Sequence, residues 1–340
     1  MRKFASIFVC LALLCALAAC GTASAATNDS AEDTAPAAAP EESAADAEET
    51  AGEASIVYMT TDISAEGMMA VYEALGVELT GENIAVKLST GEPPSSNYLR
   101  PELIADLVQY VDGTIVECNT AYGGSRAQTA MHYQVAEDHG FTAIADFLIM
   151  DEDGSMILPV ENGQQITENY VGAHFADFDG FLVLSHFKGH AMAGFGGAIK
   201  NISIGIASSE GKNFIHTGGA SRTSWSGGKQ DDFLRAMADA GKSVVDALDG
   251  NILYVNVMNR LSIDCDCSGR PSEPDIHDIG ILASTDPVAL DQACVDLIYQ
   301  AEGNESFVAR MENRNAMLTL EAGEAIGLGS RTYELVNIDG

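Results

Sequence analysis

The chain has 340 residues, a formal net charge of −33 and 46% hydrophobic residues. A nucleic-acid-binding protein needs clustered Lys and Arg to meet the phosphate backbone, so this charge predicts that no nucleic acid is a partner. Any anionic ligand would need local positive charge against this acidic background.

Residues 1–19 have the layout of a secretory signal peptide. Arg2 and Lys3 precede an apolar run that ends at Ala19 and is too short for a membrane span. The residues LAAC, ending at Cys20, resemble a bacterial lipobox, which implies cleavage before Cys20 and a lipid on its sulfur. Cleavage near Ala25 is the alternative. We therefore expect an exported protein anchored to the cell membrane, with its domain outside the cytoplasm.

Residues 20–54 predict a disordered tether. They are rich in Ala, Glu, Asp, Ser, Thr and Pro and contain no Lys or Arg, so they cannot bury enough apolar surface to offset their ordering entropy. Residues 55–340 remain, which is enough for a large α/β domain with a substantial core.

Strand and helix patterns alternate along residues 55–340. The periodicity of hydrophobic residues and the local composition predict strands over 55–60, 84–89, 113–119, 144–150, 156–160, 181–184, 252–258 and 279–283, with an edge strand in the final TYELVNI. They predict helices over 64–75, 100–111, 127–139 and 288–301, and one within 227–248. The acidic turn at 151–154 is interpreted as a hairpin.

This alternation predicts an α/β fold with a mostly parallel sheet flanked by helices. Ligands bind such sheets beyond the carboxyl ends of the strands. We therefore expect the loops that follow Thr120, Ser185 and Met258 to converge on one site.

Residues 181–205, FLVLSHFKGHAMAGFGGAIKNISIG, hold the densest group of reactive side chains and glycines. The strand delivers Lys188, a candidate for binding an anionic group, into a loop that continues to Lys200. Lys200, close to the backbone amides of Gly196 and Gly197, could hold a carboxylate or a phosphate as a point charge. A surface lysine after a turn is the alternative interpretation.

A second candidate for anion binding is the loop AYGGSR, which contains Gly123, Gly124 and Arg126. A strand, a glycine-rich loop and a helix N-terminus together favour an anion. The loop has neither a Walker nor a GxGxxG pattern, and a simple tight turn explains it equally well.

Metal ligands are the third kind of candidate. His186 and His190 are imidazole donors four residues apart, and Cys265 and Cys267 form a CxC pair of soft thiols. Together they predict a transition-metal site. The alternatives are backbone hydrogen bonds for the histidines and, for the cysteines, surface thiols, disulfides or a redox-active pair.

Acid–base chemistry has three candidates, Lys200, His216 and Asp275. Four cysteines remain once the signal peptide and the lipidated Cys20 are set aside, and an even number permits disulfides outside the cytoplasm. Cys118 and Cys294 could therefore pair with Cys265 and Cys267.

Several long motifs carry a family resemblance. SHFKGHAMAGFGGAIKN, CDC, DIGILASTDPVALDQACVDLI, AYGGSR and AIGLGSRTYELV resemble the domain-of-unknown-function 362 family, over nearly all of residues 55–339. Many members carry a ferredoxin-type insert with two 4Fe–4S clusters, whose place here would be residues 216–225. No CxxCxxCxxxC run occurs in the chain, so we expect no 4Fe–4S cluster.

A shorter likeness is to the loop of the nickel-dependent lactate racemase family. It covers His190, Gly196, Gly197 and Lys200. We treat it as an analogy and not as evidence for a nickel cofactor. The sequence thus predicts a membrane-tethered extracytoplasmic protein with a metal or anion site, redox or isomerase chemistry, and a small molecule or redox protein as partner. A binding lipoprotein without catalysis is the alternative.

Overall fold

A computed structural model of the protein describes residues 54–95 and 97–340. The predictions on the signal peptide, Cys20 and residues 20–53 of the tether lie outside this range. Within the range, no helix combines the length and the apolar character needed to cross a membrane.

Most predicted strands form, within two or three residues of their expected ends. In chain order the strands are β1 (Ser55–Thr60), β2 (Ile84–Lys87), β3 (Gly113–Glu117), β4 (Phe147–Ile149), β5 (Ser155–Pro159), β6 (Glu168–Gly172), β7 (Gly180–His186), β8 (Lys188–His190), β9 (Gly194–Gly196), β10 (Ile252–Met258), β11 (Gly280–Ser284) and β12 (Tyr333–Asn337).

The helices follow the apolar spacing of the sequence, and several begin at a recognisable cap. Ser64 caps the first helix by accepting a hydrogen bond from the backbone of Gly67, and Asp286 caps the seventh. The helices are α1 (Ala65–Ala74), α2 (Pro101–Tyr110), α3 (Thr129–Asp138), α4 (Ala198–Ser203), α5 (Ser209–His216), α6 (Gln230–Ala247), α7 (Pro287–Gln300), α8 (Glu305–Asn313) and α9 (Met317–Ala325), with 3-10 turns at Ser125–Ala127, Phe141–Ala143 and Ala173–Asp177.

The large sheet has eight strands in the order β12-β1-β11-β10-β7-β2-β3-β4. The pairs β10–β7, β7–β2, β2–β3, β3–β4 and β1–β12 are parallel, whereas β11 runs antiparallel to β1 and β10. Two small antiparallel ribbons, β5–β6 and β8–β9, lie outside this sheet. The predicted α/β class with a mostly parallel sheet is confirmed, as is β12 as an edge strand.

Strand β7 is buried on both faces because helices cover both sides of the sheet. Phe181 and Val183 point into one apolar cluster, and Leu182 and Leu184 point into the other. All four side chains are fully buried. Burying each one contributes about 1.5–3 kcal/mol, which explains the continuous apolar run in the sequence.

The sheet has a topological switch point between β2 and β7. These strands are neighbours, but the chain leaves β2 for β3 on one side and leaves β7 for β10 on the other. In open α/β sheets such a point leaves a crevice at the carboxyl ends of the strands, where ligands bind.

Two local predictions were wrong. The strands that flank residues 151–154 do not form a hairpin, because β4 pairs with β3 in the large sheet and β5 pairs with β6. The carboxylate of Asp151 is also engaged, since it accepts hydrogen bonds from Asn119 N at 2.7 Å and Ser209 N at 3.1 Å. In residues 185–205 the predicted loop contains the end of β7, the β8–β9 ribbon and helix α4.

Candidate functional site

A cavity of about 380 Å³ opens at the carboxyl ends of β2, β3 and β7. Lys87, Glu117 and His186 are the last residues of these three strands, and all three line the cavity. The loop after β3 contributes residues 120–122, and the loop after β10 contributes residues 265–267. The predicted convergence of loops at this edge of the sheet is therefore confirmed.

The cavity carries a surplus of positive charge within a strongly acidic protein. Its wall contains five cationic side chains and two carboxylates. The cations are Lys87, Arg126, Lys188, Lys200 and Lys212, and the carboxylates are Glu117 and Asp266. Unpaired charge in a buried wall is costly, so the partners of each cation decide what the cavity can bind.

Glu117 neutralises one side of the cavity. Its carboxylate lies 3.2 Å from Lys87 Nζ and 3.2 Å from Arg126 Nη1. It also accepts a hydrogen bond of 2.9 Å from Thr90 N. Burial alone would raise the pKa of Glu117, but Lys87 and the neighbouring donors outweigh burial and hold it well below its usual value.

Lys188 is anchored by the chain itself. Its ammonium donates to the carbonyls of Asn97 at 3.2 Å and Arg260 at 3.1 Å, and it lies 3.4 Å from Asp266 Oδ1. Burial lowers the pKa of Lys188 to about 8, although Asp266 opposes the shift. This predicted anion-binding residue lines the cavity, but its donors are already in use.

Lys200 is different, because no described residue accepts a hydrogen bond from its ammonium group. It projects from the short helix α4 into the cavity. Burial, together with the nearby Lys87 and Arg126, lowers the pKa of Lys200 to about 8. Lys212 has a single acceptor within the described ranges, the carbonyl of Ala207. The free positive charge is therefore concentrated at these two lysines.

The position of Lys200 depends on a buried carboxylate behind it. Asp291 accepts hydrogen bonds from Ala198 N at 2.8 Å and Ile199 N at 3.0 Å, which satisfies the first turn of α4. Gly197 is required here, because a Cβ would lie 2.2 Å from Asp291 Oδ1. Gly196 and Gly197 thus line the cavity as predicted, but a carboxylate of the chain occupies the helix end.

His190 is held in one tautomer. Its Nδ1 accepts hydrogen bonds from Met192 N at 3.2 Å and Ala193 N at 2.9 Å, and a backbone N–H can only donate. The neutral ring therefore carries its proton on Nε2. Burial, with Lys200 and other cations nearby, keeps the pKa of His190 well below its usual value, so the ring stays neutral.

His216 is held in the opposite tautomer. Its Nδ1 lies 2.6 Å from the carbonyl of Lys212, which accepts its proton. The bare nitrogen of the neutral ring is then Nε2. Burial lowers the pKa of His216 to about 4, and the ring stacks on Phe233 at a centroid distance of 4.7 Å. The cavity thus has one imidazole that donates and one that accepts.

His186 does not join the group that could bind a metal. Its Nδ1 lies 3.0 Å from Asp266 Oδ2 and its Nε2 lies 2.9 Å from the carbonyl of Asn259. Both ring nitrogens therefore lie against oxygen atoms of the chain and not against a second candidate ligand. The hydrogen bonds fasten the 264–268 turn to the end of β7.

His190, Cys265 and Cys267 are the described group that could hold a metal ion, since one ligand atom of each lies within 4.8 Å of the others. The two cysteines are joined to each other in a disulfide, so the alternative in which they pair with Cys118 and Cys294 was wrong. Cys118 and Cys294 are free and buried. Burial raises the pKa of the Cys118 thiol to about 12.

Three predicted residues lie away from the cavity wall. Gly123 and Gly124 belong to the 120–126 loop, where Glu92 takes the place expected for an anion: it accepts from Ser125 N at 2.6 Å and lies 3.3 Å from Arg126 Nε. A Cβ on Gly124 (φ 141°) would lie 2.6 Å from Glu92 Oε1. Asp275 is exposed and accepts a hydrogen bond from Ser306 Oγ, so it does not reach the site.

The sequence interpretation missed Lys87, Glu117, Lys212, Glu92 and Asn201. A signal was available for the first two, because each is a charged residue that ends an otherwise apolar strand. Asn201 joins α4 to β7, since its Nδ2 donates to the carbonyl of Leu184 at 3.1 Å. Lys212 and Glu92 come from segments with no distinctive pattern, whereas Asn201 lies within residues 181–205.

The site and the fold define an α/β protein with a ligand cavity at the switch point of its sheet. Residues 84–296 match the family described as "Domain of unknown function (DUF362)", and the chain belongs to that family. No curated protein matches the sequence.

Two solved structures are distantly similar. The lactate racemase apoprotein from Thermoanaerobacterium thermosaccharolyticum has a TM-score of 0.42 and 14% identity, over 72% of this chain and 57% of that one. A protein from Thermotoga maritima has a TM-score of 0.40 and 12% identity, over 77% of this chain and 58% of that one. This chain thus covers less than two thirds of either structure, and likeness at this level does not extend to activity.

Proposed function

We propose that the chain binds a small organic anion, a carboxylate or a phosphate, in the cavity at the switch point. The observation that carries the proposal is Lys200, a largely buried ammonium group without an acceptor among the described residues. A carboxylate or phosphate oxygen would supply that acceptor, and a charge-assisted hydrogen bond of this kind contributes about 1.5–3 kcal/mol.

The neighbours of Lys200 support the same ligand class. Lys212 uses one donor on the chain, and His190 presents an N–H on Nε2. These groups are donors, so they complement oxygen acceptors. Glu117 and Asp266 neutralise the cations on the other sides, which leaves the surplus charge in one place.

The test is a thermal-shift screen of the folded domain against phosphate, acetate, malonate, lactate, citrate and a phosphorylated sugar, with chloride at equal ionic strength as the control. A bound anion stabilises the folded state by mass action. We expect at least one organic anion or phosphate to raise the Tm where chloride does not. Equal behaviour of all anions and chloride would contradict the proposal.

We further propose that the cavity can move a proton on its ligand, which is isomerase chemistry. The supporting observation is His216, whose Nε2 has a bare lone pair and whose pKa of about 4 keeps it unprotonated at neutral pH. Lys200 would stabilise the negative charge that develops when a proton leaves a carbon next to a carboxylate.

Solvent exchange distinguishes this proposal from binding alone. Each anion that stabilises the protein is incubated with it in D₂O, and deuterium uptake at carbon is followed by NMR. We expect uptake with the native chain and a large loss in His216→Gln. An anion that binds and is recovered without deuterium identifies the alternative, a solute-binding protein without catalysis.

A transition metal is the second candidate occupant, and the group of His190, Cys265 and Cys267 supports it. Two features restrict it: the sulfurs must first be reduced, and His190 must give up either its Nε2 proton or the hydrogen bonds at Nδ1 before a ring nitrogen can bind a metal. A soft ion such as Zn²⁺ suits two thiolates and an imidazole, and it would supply a Lewis acid. Elemental analysis of protein purified with and without a reductant tests this, with His190→Ala expected to lower the metal content.

The cellular setting is also a proposal. We propose an exported lipoprotein, tethered through a lipid on Cys20 and residues 21–54, whose domain has no 4Fe–4S cluster. Support comes from the LAAC sequence and from the absence of a CxxCxxCxxxC run in the chain. Mass spectrometry of the N-terminal peptide, in the native chain and in Cys20→Ser, tests the lipid.

A further inference from the structure

The Cys265–Cys267 disulfide lies in the wall of the same cavity as Lys200. Both cysteines are half-buried, so their sulfurs can be reached from the cavity. A ring nitrogen of His190 lies within 4.8 Å of each sulfur. A reactive disulfide and a free cationic group therefore share one small space.

The turn that carries the disulfide is fixed in place. Asp266 lies between the two cysteines, is buried, and lies 3.0 Å from His186 Nδ1 and 3.4 Å from Lys188 Nζ. Ser268 N also donates to the carbonyl of Cys265 at 3.0 Å. Because these contacts do not involve the sulfurs, the turn can keep its position when the disulfide opens, and the two thiols stay close enough to reform it.

Other thiols in the described part of the chain cannot take part. Cys118 and Cys294 are 1% and 0% exposed. The Cys118 thiol donates to the carbonyl of Ile206 at 3.2 Å. Exchange with a molecule from solution is thus confined to Cys265 and Cys267.

We infer that the cavity takes a small thiol that carries an anionic group, and that this thiol reduces the Cys265–Cys267 disulfide. The inference rests on the proposed anion site. The anionic group binds at Lys200, and the sulfur of the same molecule is then held close to the disulfide. A cavity of about 380 Å³ accommodates a molecule of this size.

The proposed thiol–disulfide exchange takes place in two steps. The thiolate of the first molecule attacks one cysteine sulfur, the S–S bond breaks, a mixed disulfide forms, and the other cysteine leaves as a thiolate that takes a proton. A second molecule attacks the mixed disulfide, releases the oxidised small disulfide and leaves the second cysteine, which is also protonated. Two small thiols are oxidised, and one protein disulfide is reduced.

The test compares three small thiols of different charge: 3-mercaptopropionate (anionic), 2-mercaptoethanol (neutral) and cysteamine (cationic). Samples are quenched with acid, free cysteines are alkylated, and the 265–267 peptide is quantified by mass spectrometry. Each rate is expressed per thiolate and divided by the rate of the same thiol with a small neutral disulfide.

We expect 3-mercaptopropionate to react at least about tenfold faster than 2-mercaptoethanol, because local fields raise encounter rates by about 10- to 1000-fold. Salt and Lys200→Met should remove the advantage, whereas Lys242→Met, a change at a lysine on α6 paired with Asp246, should keep it. The net charge of −33 alone would favour cysteamine, so cysteamine reacting fastest overturns the inference.

A binding experiment distinguishes failure of this inference from failure of the proposed anion site. The thioether 3-(methylthio)propionate and phosphate, which cannot exchange, are tested by thermal shift on the native chain. If they stabilise the protein but the three thiols show no preference for the anionic one, the anion site stands and the thiol inference fails. If no anion stabilises the protein and there is no preference, both fail.

Discussion

Replacing Lys200 by Met should make the empty protein more stable and its anion binding weaker. Methionine keeps the length and the apolar stem of lysine but removes the ammonium group. In the native chain, that group is charged at neutral pH, largely buried and without an acceptor among the described residues. Its removal therefore relieves a cost in the unliganded state and removes the main contact of the liganded state.

The two magnitudes follow from the site. Burial lowers the pKa of Lys200 from 10.5 to about 8, and at about 1.4 kcal/mol per tenfold change in proton affinity the charged form is disfavoured by about 3 kcal/mol. Solvent in the cavity reduces this to about 1–3 kcal/mol. The lost charge-assisted hydrogen bond contributes about 1.5–3 kcal/mol, which weakens anion binding by about 10- to 150-fold.

The pH dependence of stability gives an independent test of the direction of the stability change in Lys200→Met. Because the folded-state pKa of Lys200 is lowered, its contribution to stability is present above 10.5 and is lost as the pH falls through about 8. The stability gain of Lys200→Met should thus be full at pH 7 and absent near pH 11.

Urea unfolding of the native chain and the variant at both pH values measures the stability difference, and calorimetry with the best anion measures affinity. Lys242→Met serves as the matched control, because Lys242 lies away from the cavity and pairs with Asp246 at the surface. A variant that is less stable than the native chain at pH 7, with unchanged affinity, would refute the reasoning.

Three further predictions concern the same cavity. Anion binding should weaken as the pH rises through about 8, because Lys200 then loses its proton, and calorimetry at pH 7 and 9 should show no such weakening in Lys200→Met. Asp291→Asn should lower the free energy of unfolding by about 1–3 kcal/mol, because the amide places a donor against the N–H groups of α4; urea unfolding beside Asp296→Asn as a control measures this. Glu92→Ala should lower the free energy of unfolding by about 1–3 kcal/mol, because Ser125 N loses its acceptor and Arg126 keeps only Glu117 as a carboxylate partner. Millimolar acetate should restore part of the loss in a thermal-shift assay, and no rescue would argue against a built anion position in the 120–126 loop.

The sheet could be predicted because its strands are buried on both faces. Strands such as β7 and β10 are then continuous apolar runs with clear ends, and alternation with helices indicates parallel pairing. The pairing of β5 with β6 could not be predicted in this way, because strand pairing depends on contacts that are distant along the chain. Helix α4 was missed because its start consists of glycines, and its N-terminus is stabilised by Asp291, more than ninety positions away.

The sequence predicted the location of the site better than the role of each residue in it. Residue types drew attention to Lys200, His190 and the CxC pair. Their placement in loops after the carboxyl ends of parallel strands predicted that they lie together. The roles depend on hydrogen bonds that a sequence does not encode locally. One backbone turn fixes the tautomer of His190, one helix carbonyl fixes that of His216, and Glu92 occupies the loop at Arg126 from more than thirty positions away.

The arrangement of carboxylates around the cavity gives it a direction. Glu117 and Glu92 cancel the charge of Arg126 at one side, and Lys200 and Lys212 remain uncompensated at the other. A ligand with one anionic end therefore has one preferred orientation, because reversal would move its charge away from the two lysines and towards Glu117. Because the two ends of such a ligand are fixed, any proton exchange by His216 should occur at one carbon along the ligand and not at its neighbours.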